Sequence, residues 1–159
     1  MAMDLILWRH AEAEDLDETD EGGGGDLSRR LTPRGEKQAA RMAAWLDRQL
    51  PEGTRIWSSP AVRTEQTVLA LGRRYRVRPE LAPDGSPQAL LDVVQWPDAR
   101  HPSLVVGHQP TLGRVVAQLL GIESGECSIR KGSVWWLRRR ERHQGWQTIV
   151  LCVQTPELL

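Results

Sequence analysis

Net charge is missing from this chain of 159 residues, in which 21 Lys and Arg balance 21 Asp and Glu. Without a field of one sign, bulk charge recruits neither nucleic acid nor an anionic membrane, and no partnership with either is expected. Cysteine is scarce, at two residues, Cys127 and Cys152, and the start Met1-Ala2-Met3-Asp4 has neither a basic n-region nor an apolar segment. The expectation is a cytoplasmic protein with free thiols, a cross-link arising only if the two cysteines face each other across paired strands. Long apolar runs are also lacking: the longest are four or five residues, against the ~20 needed to cross a bilayer. An internal repeat is absent as well. His10, His101, His108 and His143 form no helix-spaced pair with one another or with the cysteines, so a metal cofactor is not expected. At this length a fold buries roughly 70% of the unfolded surface, enough for a core without staples, and one domain over 1–159 is the default.

What is present is a set of short apolar runs, each followed by chemistry. Leu5-Ile6-Leu7-Trp8 ends in Arg9-His10-Ala11, Thr54-Arg55-Ile56-Trp57 ends in Ser58-Ser59-Pro60 with Arg63 beyond, and Leu104-Val105-Val106 ends in Gly107-His108-Gln109-Pro110. Helical patterns separate the strands. Thr32-Pro33 opens one, with Thr32 as cap and Ala39, Ala40, Ala43, Leu46 and Leu50 as its apolar stripe, until Pro51 and Gly53 end it. Others are expected over Ala61 to Tyr75, from Ser86-Pro87 through Trp96, and from about Pro110 to Leu120, with an irregular extended piece over Arg76 to Leu81. Ser133 to Arg138 and Trp146 to Gln154 read as a hairpin, with Arg138 to Arg142 at its solvated tip and Trp135, Trp136 and Trp146 as packing residues. The fold class is α/β: a three-layer α/β/α sandwich with a mostly parallel sheet, helices on both faces and a C-terminal edge hairpin.

In such sheets ligands bind beyond the carboxyl ends of the strands, so Arg9, His10, Arg63 and His108 should converge on one crevice. Two arginines and two histidines make an anion pocket. A guanidinium stays charged and binds two oxygens at once, which suits a phosphoryl group. A neutral imidazole can attack phosphorus to give a phosphoramidate, and a second histidine can donate to a phosphoryl oxygen as charge develops. His101, before Pro102 at the far end of its strand, and His143, in the hairpin turn, default to solvent. Between strand and helix, Glu12 to Arg30 carries eight carboxylates, Glu12, Glu14, Asp15, Asp17, Glu18, Asp20, Glu21 and Asp26, around Gly22 to Gly25. This is a long acidic loop, either a solvated insertion or a filter against small polyanions.

Arg9-His10-Ala11, Leu31-Thr32-Pro33-Arg34-Gly35, Ser59-Pro60-Ala61-Val62-Arg63-Thr64-Glu65-Gln66-Thr67 and Gly107-His108-Gln109-Pro110 resemble, in order and spacing, the signatures of the histidine phosphatase, or phosphoglycerate-mutase-like, superfamily. The compact size and the Gly-His-Gln-Pro segment are most similar to the small bacterial SixA-type phosphohistidine phosphatases. The resemblance implies that His10 is the transiently phosphorylated nucleophile, that Arg9 and Arg63 clamp the phosphoryl oxygens and that His108 completes the phosphate-binding pocket. Members usually have Gly where this chain has Ala11, which suits Ala if the backbone there is ordinarily extended. A carboxylate after the second arginine often protonates the leaving group, which makes Glu80, in Pro79-Glu80-Leu81, the candidate general acid, with Glu12 and Glu14 as rivals.

The function expected from the resemblance is metal-independent hydrolysis of phosphohistidine on a phosphorylated protein, without cofactor, through phospho-His10. The alternatives are a broad small-molecule phosphomonoesterase acting on phosphate esters and a non-catalytic phosphate- or phosphoprotein-binding module. Retention of His10 speaks against the last, because arginines and backbone N–H groups suffice for binding.

Overall fold

In the computed structural model, which describes residues 2–16, 25–143 and 145–159, six strands form one sheet in the order β3-β2-β4-β1-β5-β6. They are β1 (Ala2–Arg9), β2 (Arg55–Ser58), β3 (Arg76–Val77), β4 (Ser103–Gly107), β5 (Val134–Arg142) and β6 (Gly145–Gln154). The first four are parallel, β5 adds to β1 antiparallel, and β6 adds antiparallel to β5.

Strand alternation builds the three layers. Leu5, Leu7 and Val105 face a cluster with α3 (Pro87–Val93) and α4 (Thr111–Leu120). Ile6, Trp8, Leu104 and Val106 face the opposite cluster with α1 (Pro33–Gln49) and α2 (Val62–Leu69). Both sides of β1 and β4 are thus covered, which is why their sequences are continuous apolar runs rather than alternating ones. Cys127 packs on the first cluster and Cys152 on the second, so the sheet lies between them and both thiols are free. No helix among the described residues is long and apolar enough to cross a membrane.

Three local expectations need correction. The helix expected over Ala61 to Tyr75 stops at Leu69, because the amides of Ala70, Leu71 and Gly72 bond back three residues instead of four and Gly72 takes a φ of +69°. The Arg138 to Arg142 run is not a hairpin tip: it is the second half of β5, paired with β1 and β6, and the turn falls after it at His143. Its first member is structural, since Arg138 donates twice to the Asp4 carboxylate, at 2.7 and 3.0 Å, and Trp136 Nε1 donates to the same group at 3.0 Å. A carboxylate that is 6% exposed requires such partners. Trp136 is a core residue and Trp135 is half-buried, but Trp146 is 51% exposed and stacks under the Arg139 guanidinium, 4.0 Å from the ring centre. The Asp17, Glu18, Asp20 and Glu21 carboxylates of the acidic loop lie outside the described residues.

Candidate active site

β1 and β4 are adjacent and in register, Arg9 opposite Gly107, so the residues that follow them emerge side by side. The His10 amide donates to the Gly107 carbonyl at 3.1 Å, and the His10 and His108 rings stand 5.3 Å apart at 55°. On the far side of β4, the Ser59 amide donates to the Val106 carbonyl, and α2 then begins with Arg63 in its first turn. Parallel pairing alone brings His10, His108 and Arg63 together. All three are buried, while Arg9 is half-buried with one terminal nitrogen donating to the Ile129 carbonyl at 2.8 Å. The Nε–H groups of Arg9 and Arg63 are buried and donate to no acceptor among the described residues. Such orphaned donors are costly on a charged group, so an incoming oxyanion gains where water does not compete.

The hydrogen bonds fix both tautomers. His10 Nδ1 is 2.7 Å from the Ala11 carbonyl, which can only accept, so Nδ1 carries the proton and Nε2 keeps its lone pair. His108 Nδ1 is 3.3 Å from an Arg63 terminal nitrogen, which can only donate, so its proton is on Nε2 and goes to Ser59 Oγ at 2.7 Å. Burial first, then the neighbouring cations, lower His10 from 6.5 to about 4, even though its bond to Ala11 works the other way. Burial, His10 and Arg63 lower His108 to about 3. Burial and the charge of Arg63 also lower Arg9 from its ordinary 12.5. Both imidazoles are neutral near pH 7, and His10 presents a free nitrogen beside two guanidinium groups.

The loop after His10 is locked to the start of α1. Thr32 donates its amide to the Glu12 carbonyl at 3.0 Å and its hydroxyl to the Glu12 carboxylate at 2.7 Å, while its oxygen caps the Gly35 amide. Gly35 sits so close to the Glu12 carbonyl that any Cβ would overlap it. This explains the Leu31-Thr32-Pro33-Arg34-Gly35 run physically. Ala11 is buried, its amide donates to Thr67 Oγ1 at 3.2 Å, and its φ is not positive, so alanine is unstrained there. Gln109 ties the other strand end down: its amide group donates to the Cys127 carbonyl and accepts from the Gly113 amide.

Two residues join the cluster that sequence reasoning did not single out. Ser59 holds His108, although its place in the Ser59 to Thr67 run was a signal. Asp26, from a short 3-10 turn at Gly25–Ser28, accepts from Arg63 through both its carbonyl, at 2.7 Å, and its carboxylate, at 2.9 Å. Arg29 also donates to that carboxylate. Burial works to raise the Asp26 pKa, but the bonds and charges of Arg29 and Arg63 prevail and hold it below the usual value. In the sequence Asp26 was one carboxylate among eight. Glu80, by contrast, is not brought into the cluster. It is exposed and forks with Arg78, at 3.0 and 3.1 Å, which holds its pKa below the ordinary value. Glu12 is committed to Thr32, and Glu14 is exposed. His101 and His143 are exposed, away from the site, as expected.

Residues 5–84 match the family model of the histidine phosphatase superfamily, branch 1. The chain belongs to this superfamily. Phosphohistidine phosphatase SixA of Escherichia coli is 33% identical over 125 residues, covering 74% of each chain. A SixA homolog of Haemophilus influenzae is 28% identical over 134 residues, 75% of this chain and 78% of that one. Among solved structures, a protein histidine phosphatase SixA complexed with tungstate superposes with a TM-score of 0.73 at 26% identity, over 98% of this chain and 99% of that one. A mycobacterial glucosyl-3-phosphoglycerate phosphatase shares the fold at 19% identity and a TM-score of 0.67. This histidine phosphatase is therefore a SixA-like phosphatase by family, in a fold that also serves other phosphate substrates.

Proposed function

We propose that this histidine phosphatase hydrolyses phosphohistidine on proteins, as one domain, through a covalent phospho-His10 intermediate. The observation that carries the proposal is His10 Nδ1 bonded to the Ala11 carbonyl, which leaves Nε2 unprotonated in the field of Arg9 and Arg63. In the first step Nε2 attacks phosphorus in line, and the bond from phosphorus to the substrate imidazole breaks, its electron pair staying with the leaving nitrogen. In the second, water attacks phospho-His10, the new P–N bond breaks, and phosphate leaves with His10 restored. The buried Nε–H donors of Arg9 and Arg63 take up equatorial oxygens in both steps. His108 turns its Nε2–H from Ser59 to the phosphoryl group.

The carboxylates that the structure describes support this substrate class. Among the described residues the carboxylate that touches the cluster is Asp26, which two arginines hold ionised, and Glu80 is tied to Arg78. Neither is poised to protonate an alkoxide. An imidazole needs less help, because it departs neutral when its remote ring nitrogen already carries a proton. The competing reading, a small-molecule phosphomonoesterase, is favoured by the fold shared with the glucosyl-3-phosphoglycerate phosphatase.

Rapid-quench labelling with a synthetic phosphohistidine peptide and with an alkyl phosphate ester such as glycerol 3-phosphate, whose leaving alkoxide needs a proton, without added metal, tests the reading. Acid-labile, base-stable phosphate on His10 from the peptide, with little from the ester and none in His10→Ala, is expected. Equal labelling by the ester would transfer the proposal to the esterase. Phosphate binding without labelling would make the protein a non-catalytic module.

A further inference from the structure

Away from the site, the outer edge of β3 borders a groove of ≈ 970 Å³ whose lining, among the described residues, has no Asp or Glu and six arginines, Arg55, Arg73, Arg74, Arg76, Arg78 and Arg100, beside His101. In a chain with no net charge this is a segregation of cations. Two of them are paired, Arg73 with Asp47 and Arg78 with Glu80. Arg55, Arg74, Arg76 and Arg100 are exposed and have no ion-pair partner among the described residues.

The backbone suits the same ligand as the charge. β3 is the end of the sheet, so the edge facing away from β2 has no strand on it among the described residues, and such an edge accepts an extended chain. Arg76 lies opposite Trp57 in the register, and Arg78, two residues on in extended backbone, reaches over the Trp57 ring. Residues two apart share a face, so Arg55, Arg76 and Arg78 line the side toward the end of α3 at the repeat of alternate side chains in a strand. We infer that this groove binds an extended acidic segment of the phosphoprotein substrate, its alternate carboxylates meeting Arg55, Arg74, Arg76 and Arg100 while its backbone pairs with β3. This identification of the partner rests on the protein-substrate reading above.

Single-stranded nucleic acid fits less well. It needs open aromatic faces for stacking, whereas Trp57 packs on the core, donates to Ser103 Oγ and is covered by Arg78, and Tyr75 packs on the opposite cluster and donates to Glu65. A nucleotide chain also cannot use the β3 ladder.

The test is fluorescence polarisation with a labelled peptide of alternating Glu and Thr, carrying no phosphate, against its Gln–Thr counterpart and an oligo-dT strand. The Glu peptide is expected to bind at least about tenfold more tightly than the Gln peptide, with salt weakening it, and R74E/R76E should abolish the difference. The kcat/KM of R74E/R76E for p-nitrophenyl phosphate should match wild type, which also certifies its fold; R74Q/R76Q serves if the reversal misfolds. Appending the Glu–Thr tract to the phosphohistidine peptide should raise kcat/KM by a similar factor in wild type alone. Equal binding of Glu and Gln peptides, or undiminished binding by R74E/R76E, overturns the inference, and tighter binding of oligo-dT reassigns the groove to nucleic acid. Peptide binding without turnover of any phosphate substrate would sink the catalytic proposal while leaving the groove's ligand class standing.

Discussion

Acid should unfold this protein through its active site. The folded pKa values of His10 and His108, about 4 and about 3, lie below their ordinary 6.5. Between those limits the unfolded chain binds protons that the folded one refuses, so stability falls as pH drops from about 6.5 toward 4. At 1.36 kcal/mol per unit, each histidine removes about 2.5 kcal/mol by pH 4.5, and about 5 kcal/mol together is an upper bound, because the two rings interact. That is a large part of the ~5–15 kcal/mol holding a domain of this size. Urea unfolding at intervals from pH 7.5 to 4.5 measures it directly. His108→Gln should flatten the profile by roughly half, whatever it does to the stability at pH 7.5. A profile flat to within about 1 kcal/mol over that range would mean that the imidazoles are not neutral and buried, and the nucleophile argument would fail with them.

The remaining expectations concern neighbours of the cluster. Asp26→Asn should bind inorganic phosphate more tightly, by about 1 kcal/mol or roughly fivefold, because the carboxylate now on Arg63 is 44% exposed and holds it only modestly; inhibition of p-nitrophenyl phosphate turnover reads this, and weaker binding would give Asp26 a positioning role instead. Gly35→Ala should lower both stability and kcat/KM, by about 1–3 kcal/mol in the former, since the new methyl displaces the Glu12 carbonyl that anchors the loop after His10; thermal unfolding beside activity checks it. Glu80→Gln should leave kcat for a phosphohistidine peptide within about twofold, and a loss of about a hundredfold would restore Glu80 as the acid.

Much of the site was legible because it follows strand ends. The residues after Trp8 and Val106 had to emerge on one side of the sheet if both strands were parallel, and continuous apolar runs require parallel, doubly covered strands. The capping of α1 by Thr32 was equally local. Illegible were the features set by distance in space. The Arg138 to Arg142 run reads as a solvated turn until Asp4, 134 positions away, is seen to need Arg138. Asp26 is indistinguishable from its acidic neighbours until the chain folds back across 37 positions onto Arg63. Glu80 stood near the right motif, but Arg78, two residues before it, captures its carboxylate.

The sequence by itself determined the layers, the His and Arg residues that converge and the family, because periodicity and strand-end chemistry are written in consecutive residues. The tertiary structure alone decided the protonation of the two imidazoles, the carboxylate resting on Arg63 and the arginine groove along β3. Those depend on burial and on which distant groups share a low-dielectric crevice or a sheet edge, quantities that no local stretch of sequence encodes.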